Sequence, residues 1–182
     1  MKTTSIISTI SLAFLMLISF NSNAQEFSGL DKSPMDAASF PSNYKEADKY
    51  IKIVYSRPQL NERSLEKLVP HGEVWRTGAN EAAELTLYKT MIFGDTEVSP
   101  GTYTFYILPG AKEWTAIINK DLNVWGSYFY NEKNDVARVT VPIVRAKESM
   151  DVFSIAFSES DSGIDMHMGW GDVRIAVPFT KM

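Results

Sequence analysis

The sequence predicts an all-β protein built as an antiparallel β-sandwich, with a jelly-roll-like arrangement as one form of it. Apolar and β-branched residues alternate with a period of two in many short runs, as they do in half-buried strands. Turn residues separate these runs roughly every eight to twelve positions, which is typical of sandwiches and barrels. The pattern contains no long amphipathic helix, so a parallel sheet with crossover helices is disfavoured.

About nine short strands follow from this alternation. They are Tyr50–Arg57, Leu85–Tyr88, Met91–Phe93, Thr102–Leu108, Trp114–Asn119, Val136–Val144, Val152–Phe157, Ile164–Trp170 and Val173–Phe179. Because Thr102–Leu108 is rich in aromatic and β-branched residues, its hairpin with Trp114–Asn119 is expected near the centre of one sheet. The last two strands are expected to form a hairpin through Gly171–Asp172.

Residues 1–24 have the pattern of a secretory signal peptide. Lys2 supplies the positive start, and Ile6–Phe20 is an apolar run too short for a stable membrane span. We expect cleavage after Ala24 and export to the periplasm or the extracellular space, with an uncleaved membrane anchor as the alternative. No second apolar run of spanning length follows, so no integral membrane span is expected after cleavage.

Residues 25–48 are rich in Ser, Pro, Asn and Asp, and we expect them to form an extended leader. A single domain, residues 49–182, should follow. Within the leader, Ser33–Asp36 has the residues that start a short helical turn. Ser64–Val69 has helical spacing for one or two turns, and it should cover an edge or an end of the sandwich together with the leader.

Composition and charge exclude several classes of function. The chain contains no cysteine, which excludes a disulfide framework, a lipid-modified cysteine and a thiolate zinc site. Its formal net charge is −4 and its basic residues are scattered, so neither nucleic acid nor an anionic membrane is an expected partner. No Gly-x-Ser-x-Gly elbow or phosphate-binding loop occurs, and no cofactor is expected.

The segment with the most chemical groups is Val69–Ala82. It combines an imidazole, an indole, a guanidinium, an amide and two carboxylates with glycines that favour a loop. Functional side chains usually lie on such loops of a rigid scaffold. The candidate ligand-binding residues, in this segment and in the positions expected around it, are Arg57, His71, Trp75, Arg76, Asn80, Glu81, Trp125, Tyr128 and Arg138.

Several longer motifs resemble those of one known family. They are Tyr55–Pro58, Val69–Ala82, Pro100–Tyr103, Glu113–Trp114, Asn119–Asp121, Trp125–Gly126, and Asp135 with Arg138. The chain is similar to the bacterial family catalogued as domain of unknown function 2911, from Ser33 to Pro178. The resemblance implies an exported or periplasmic β-rich domain and implies no particular reaction.

The charged and amide candidates each have two interpretations. Arg57 and Arg76 have the planar guanidinium that binds a carboxylate or sulfate through two parallel hydrogen bonds. Alternatively, they hold loops together by bonding carbonyls or by pairing with an internal acid, for which Glu73, Glu81 and Asp135 are available. Asn80 either reads a ligand or serves as a turn residue in the left-handed conformation.

The aromatic candidates are divided between the core and the surface. Trp170 shares a strand face with Met166 and Met168, which indicates the core. Trp125 and Tyr128 lie in a loop-like segment and form the best exposed aromatic patch, which suits stacking on a sugar ring.

Only two histidines occur, which limits metal sites and acid–base pairs. His71, His167 and Asp165 could form a set of two imidazoles and one carboxylate if the fold brought them together. No spacing typical of a metal site supports this set, so no metal is expected.

Two functions are consistent with these residues. The first is an exported binding module for a small polar ligand, a glycan or a protein partner, with the Trp75–Glu81 loop, Arg57 and the Trp125–Tyr128 patch as its site. The alternative is a secreted hydrolase or isomerase in which Glu81 acts with His71 or His167 as acid and base. A structural envelope protein without a small ligand is a third possibility, which a large exposed apolar patch would favour.

Overall fold

The computed structural model describes residues 26–182, and residues 31–182 form one compact unit. The expected signal peptide therefore lies outside the described residues. Residues 26–30 are exposed and have no regular secondary structure. In the described part of the chain, no helix has both the length and the apolar character that a membrane crossing requires.

Ten strands and two short helical segments make up the described fold. The elements are β1 (Met35–Phe40), β2 (Ile51–Ser56), α1 (Leu65–Leu68), β3 (Ala83–Leu87), β4 (Met91–Phe93), β5 (Thr96–Val98), β6 (Gly101–Pro109), β7 (Glu113–Asn119), a 3-10 helix (Glu132–Asn134), β8 (Asp135–Pro142), β9 (Val144–Ser160) and β10 (Gly163–Lys181). One antiparallel sheet has the order β1-β2-β3-β6-β7-β8, and the other has the order β5-β4-β10-β9. The predicted β6–β7 hairpin is therefore interior to its sheet.

The core lies between the two sheets, as expected for a sandwich. In β2, Ile51, Ile53 and Tyr55 are buried, while the residues between them are partly exposed. From the other sheet, Phe153 and Ile155 of β9 enter the same buried cluster. Alternation with a period of two thus places one face of each sheet against the other, and the all-β sandwich prediction is confirmed.

The predicted hairpin through Gly171–Asp172 is wrong, because β10 continues through it as one strand. Gly171 has a φ of +56°, and the pairing of β10 with β9 shifts register on both sides of it. This β-bulge moves the buried positions from even numbers, ending at Trp170, to odd numbers, starting at Val173. Both halves of β10 therefore face the core without a turn.

The short helical turn expected at Ser33–Asp36 is also wrong. Met35–Phe40 forms the edge strand β1 and pairs with β2 along its whole length, from Met35 opposite Ser56 to Phe40 opposite Ile51. Strand pairing with β2 satisfies the backbone groups that a helical turn would have used. The helical prediction at Ser64–Val69 is confirmed by α1.

Replacing Gly171 with alanine tests the bulge in β10. A Cβ at this position would meet only ordinary contacts, the nearest at 3.7 Å, so the cost comes from the positive φ. We expect Gly171→Ala to lower the free energy of unfolding by about 1–2 kcal/mol, measured by urea denaturation.

Gly29→Ala is the matched control, because a Cβ there meets no atom within 4 Å and the backbone has no positive φ. It should change stability by less than about 0.5 kcal/mol. Equal effects of the two substitutions would contradict the bulge interpretation.

Candidate functional site

Trp75 joins the Trp75–Glu81 loop, which we call the candidate loop, to both sheets. Its backbone exchanges two hydrogen bonds with Ile107 of β6, at 2.7 and 3.0 Å. Its indole is only 6% exposed and is stacked on Trp170 of β10, with ring centroids 5.6 Å apart. Edge-on contacts with Trp114 of β7 and Phe153 of β9 complete the cluster. Trp75 is therefore a core residue that fixes the loop from inside.

The four residues after Arg76 form a tight turn against β2. Thr77 and Asn80 have φ values of +55° and +60°, in the left-handed region. Gly78 lies so close to β2 that a Cβ would be 3.0 Å from the carbonyl oxygen of Ser56. Its own carbonyl accepts a hydrogen bond from Nε1 of Trp75 at 3.2 Å. Asn80 thus has the turn conformation that the sequence allowed for it.

A short antiparallel bridge connects the candidate loop to residues 120–131, between β7 and the 3-10 helix, which we call the aromatic loop. Glu81 pairs with Trp125 across this bridge. The amide of Gly126 donates to the carbonyl of Asn80 at 2.9 Å, and the amide of Ala82 donates to the carbonyl of Val124 at 3.1 Å. The two segments that the sequence singled out are therefore neighbours in space.

The aromatic loop presents three rings to solvent. Trp125 is 56% exposed, Tyr128 is 76% exposed and Phe129 is 82% exposed. The Tyr128 ring lies over Gly126, where a Cβ would be within 2.7 Å of it. Phe129 was not among the residues predicted from sequence. We call Trp125, Tyr128 and Phe129 the aromatic patch.

A buried carboxylate holds the aromatic loop in place. Asp135, whose side chain is 10% exposed, accepts hydrogen bonds from Asn119 Nδ2 at 2.8 Å and from Tyr130 Oη at 2.7 Å. Nε of Arg138 donates to the same carboxylate at 2.7 Å, and its Nη2 donates to Tyr130 Oη at 2.6 Å. Arg138 is therefore committed to this network, and Asn119, Asp135 and Arg138 of the resemblance motifs have a structural role.

Burial makes the tyrosines of this region weaker acids. Burial, followed by the charges of Asp121 and Asp135, raises the pKa of Tyr106 to about 12. Burial and the hydrogen bond to Asp135 also raise the pKa of Tyr130. The two rings pack edge to face, with centroids 5.2 Å apart. Both phenols stay protonated at neutral pH, so Tyr130 donates to Asp135.

All three nitrogens of the Arg57 guanidinium bind other groups of the protein. Its Nη1 forms an ion pair with Asp36 of β1 at 2.9 Å. Its Nε and Nη2 donate to the Phe153 carbonyl and to Ser154 Oγ of β9, at 3.2 and 2.7 Å. Arg57 therefore connects the edge strands β1 and β9 of the two sheets. Its guanidinium is used in these contacts and does not belong to the aromatic patch.

Arg76 differs from Arg57 because its guanidinium has no hydrogen bond or ion pair within residues 26–182, and its Nε is buried. It lines two adjacent cavities. One, of about 190 Å³, is bordered by Tyr128 of the aromatic patch and by Glu73. The other, of about 220 Å³, lies toward Arg63 and Pro58. Leu68, Trp75 and Arg76 line both cavities.

The acid and base candidates are not brought together. Glu81 is exposed and lines a cavity with Val54 and Glu84, on the outer face of the six-stranded sheet. His167 lies on the outer face of the other sheet, where its Nε2 is 2.7 Å from Ser158 Oγ. His71 lines a narrow cavity of about 20 Å³ near the β6–β7 turn.

The histidines and acidic residues are also not grouped as a metal site requires. Among the described residues, His, Asp and Glu side chains form no group of three that could hold a metal ion. His71 and His167 therefore do not join Asp165 in the arrangement that the sequence left open.

The comparison with known families now identifies the class of protein. A family model described as "protein of unknown function (DUF2911)" matches residues 33–179, and the chain belongs to this family. The match covers β1 through nearly all of β10, including the candidate loop and the aromatic loop. No curated protein and no solved structure matches the chain significantly.

Asp135→Ala tests the network that holds the aromatic loop. The substitution leaves three donors without their acceptor, so we expect a loss of about 2–3 kcal/mol in the free energy of unfolding. Urea denaturation followed by tryptophan fluorescence would measure it.

Glu132→Gln is the control for this network. Glu132 also contacts Arg138 Nη2, at 3.1 Å, but its side chain is exposed. Because exposed ion pairs contribute little, the loss should stay below about 1 kcal/mol. A loss for Asp135→Ala no larger than that for Glu132→Gln would show that the carboxylate does not organise the loop.

Proposed function

We propose that this protein is an exported binding module that recognises a small polar ligand or glycan with the aromatic patch and the adjacent Arg76 cavity. The observation that carries the proposal is the combination of three exposed rings with a cavity lined by Arg76, whose guanidinium is unpaired within residues 26–182. Export rests on the signal-peptide pattern of residues 1–24.

Exposed rings on a rigid scaffold support glycan binding. The apolar face of a sugar ring stacks on an aromatic side chain, and neighbouring polar groups read its hydroxyls. Tyr128 borders the cavity of about 190 Å³, whose other lining residues include the polar side chains of Glu73, Arg76 and Ser127. Aromatic and polar residues therefore line the same cavity.

Rigidity also supports binding. The aromatic loop is hydrogen-bonded to the Asn80–Ala82 segment and anchored through Asp135, so little ordering entropy is lost when a ligand docks. The enzyme alternative has less support, because Glu81 shares no described cavity with His71 or His167.

A glycan array followed by isothermal titration calorimetry tests this proposal with the purified protein. We expect at least one glycan class to bind, and Trp125→Ala and Tyr128→Ala each to weaken its binding by about tenfold or more, which corresponds to about 1.4 kcal/mol of lost stacking. Tyr44→Ala is the matched control, since Tyr44 is exposed but lies far along the chain from the patch.

Binding that all three variants retain equally would remove the aromatic patch as the site. Binding of no glycan or small polar ligand by the unaltered protein would overturn the proposed function and leave the patch to a protein partner.

A further inference from the structure

The cavity on the Arg63 side of Arg76 is lined by two arginines. Its other lining residues are neutral and include Trp75 and Trp170. No carboxylate is among them, although the whole chain has more acidic than basic residues. The cavity, of about 220 Å³, is large enough for a small anionic group with part of the molecule that carries it.

Arg63 is held in position by the chain that precedes it. Its Nε donates to the carbonyl of Leu60, and its Nη2 donates to the carbonyl of Gln59, both at 2.7 Å. Asn61 and Glu62 have positive φ values of +47° and +64°, which turn the chain so that the guanidinium reaches back. Within the described residues, Arg63 forms no ion pair, so its charge is oriented but not neutralised.

Arg76 has even fewer partners than Arg63. Arg57, Arg138 and Arg145 each form an ion pair with an aspartate, and Arg174 donates to three carbonyls. Arg76 is the one arginine in residues 26–182 whose side chain has neither kind of partner. Buried polar groups are almost always satisfied. Among the described residues, Nε of Arg76 is the charged member of a small set of buried, unpartnered side-chain atoms that also includes Ser56 Oγ and Ser160 Oγ, so it suits a ligand atom that accepts a hydrogen bond.

The surroundings of Arg76 strengthen the field of its charge. Trp75 and Trp170 line the same cavity with their stacked indoles, which exclude water from one side. An unpaired charge beside such a wall is unfavourable, and an oxyanion that enters the cavity would relieve this cost. Arginine is also well suited to carboxylate and sulfate groups, because its planar guanidinium binds them through two parallel hydrogen bonds.

We infer that the ligand is an acidic saccharide whose carboxylate or sulfate group lies between Arg63 and Arg76. This inference rests on the proposed function, because the sugar ring would extend across Arg76 toward Tyr128 in the adjoining cavity. Glu73 lines that adjoining cavity only, so its negative charge is on the side of the neutral hydroxyls and away from the oxyanion.

Calorimetry with matched pairs of probes tests the inference. The probes are a glucuronate-containing disaccharide, glucose 6-sulfate, their neutral glucose counterparts and inorganic sulfate. We expect the acidic sugars to bind at least about tenfold more tightly than the neutral ones at low salt. Raising the salt concentration should reduce this preference.

Arginine substitutions locate the oxyanion. Arg63→Gln and Arg76→Gln should each abolish the preference for the acidic probe, whereas Arg145→Gln should retain it. Arg145 is the control because its substitution removes the same charge at a position paired with Asp172, outside this cavity. Arg63 is exposed, so its variant stays informative even if Arg76→Gln fails to fold.

The possible results distinguish failure of this inference from failure of the proposed function. Neutral sugars that bind as tightly as acidic ones, through Trp125 and Tyr128, would overturn the inference and leave the proposed function intact. An acidic preference that survives Arg63→Gln would also overturn it. Inorganic sulfate that binds as tightly as glucose 6-sulfate would show a site for free anions and exclude the saccharide. Absence of all sugar binding would overturn the inference and would leave the proposed function only with a small polar ligand that is not a sugar.

Discussion

The burial of Trp75 between the two sheets is the constraint on which the candidate site depends. Its backbone pairs with Ile107 of β6, next to the segment of β6 that pairs with β3. Its indole packs against residues of β7, β9 and β10. Burying one tryptophan stabilises a fold by on the order of 4–6 kcal/mol before entropy is counted. Arg76, as the next residue, is therefore positioned by a neighbour that is packed in the core.

Backbone hydrogen bonds connect the Trp75 segment to the loop that carries the aromatic patch. The turn at Thr77–Asn80 packs on Ser56, and Asn80–Ala82 pairs with Val124–Gly126. The other end of the aromatic loop is fixed by Asp135 through Tyr130 and Arg138. Many of the motif residues that carry the family resemblance thus build a frame, and the exposed side chains of the aromatic patch lie on that frame.

Local patterns predicted most strands because alternation depends on neighbours in the chain. The bulge at Gly171 could not be distinguished from a turn, since both are signalled by a glycine and a change of parity. β1 was missed because its partner, β2, supplies the pairing that its own Ser- and Pro-rich surroundings do not predict. β5, with three residues, has too little sequence to show a period.

Site residues were predicted by type, and their environment depended on the tertiary structure. Arg57 and Arg76 look alike in sequence, yet Asp36 and β9 engage only Arg57. Arg63 was not predicted, because its orientation depends on the left-handed residues before it. Phe129 was not predicted either, although its position beside Tyr128 gave a signal that could have included it.

Native-state hydrogen exchange tests the central claim that the loop around Trp75 is a rigid part of the sandwich. The amides of Trp75, Ala83 and Gly126 donate to the carbonyls of Ile107, Arg76 and Asn80. The account predicts that they exchange as slowly as the amides of β6, in a shared cooperative opening. Exchange of these three amides many-fold faster than β6, at the rate of an open surface loop, would contradict it.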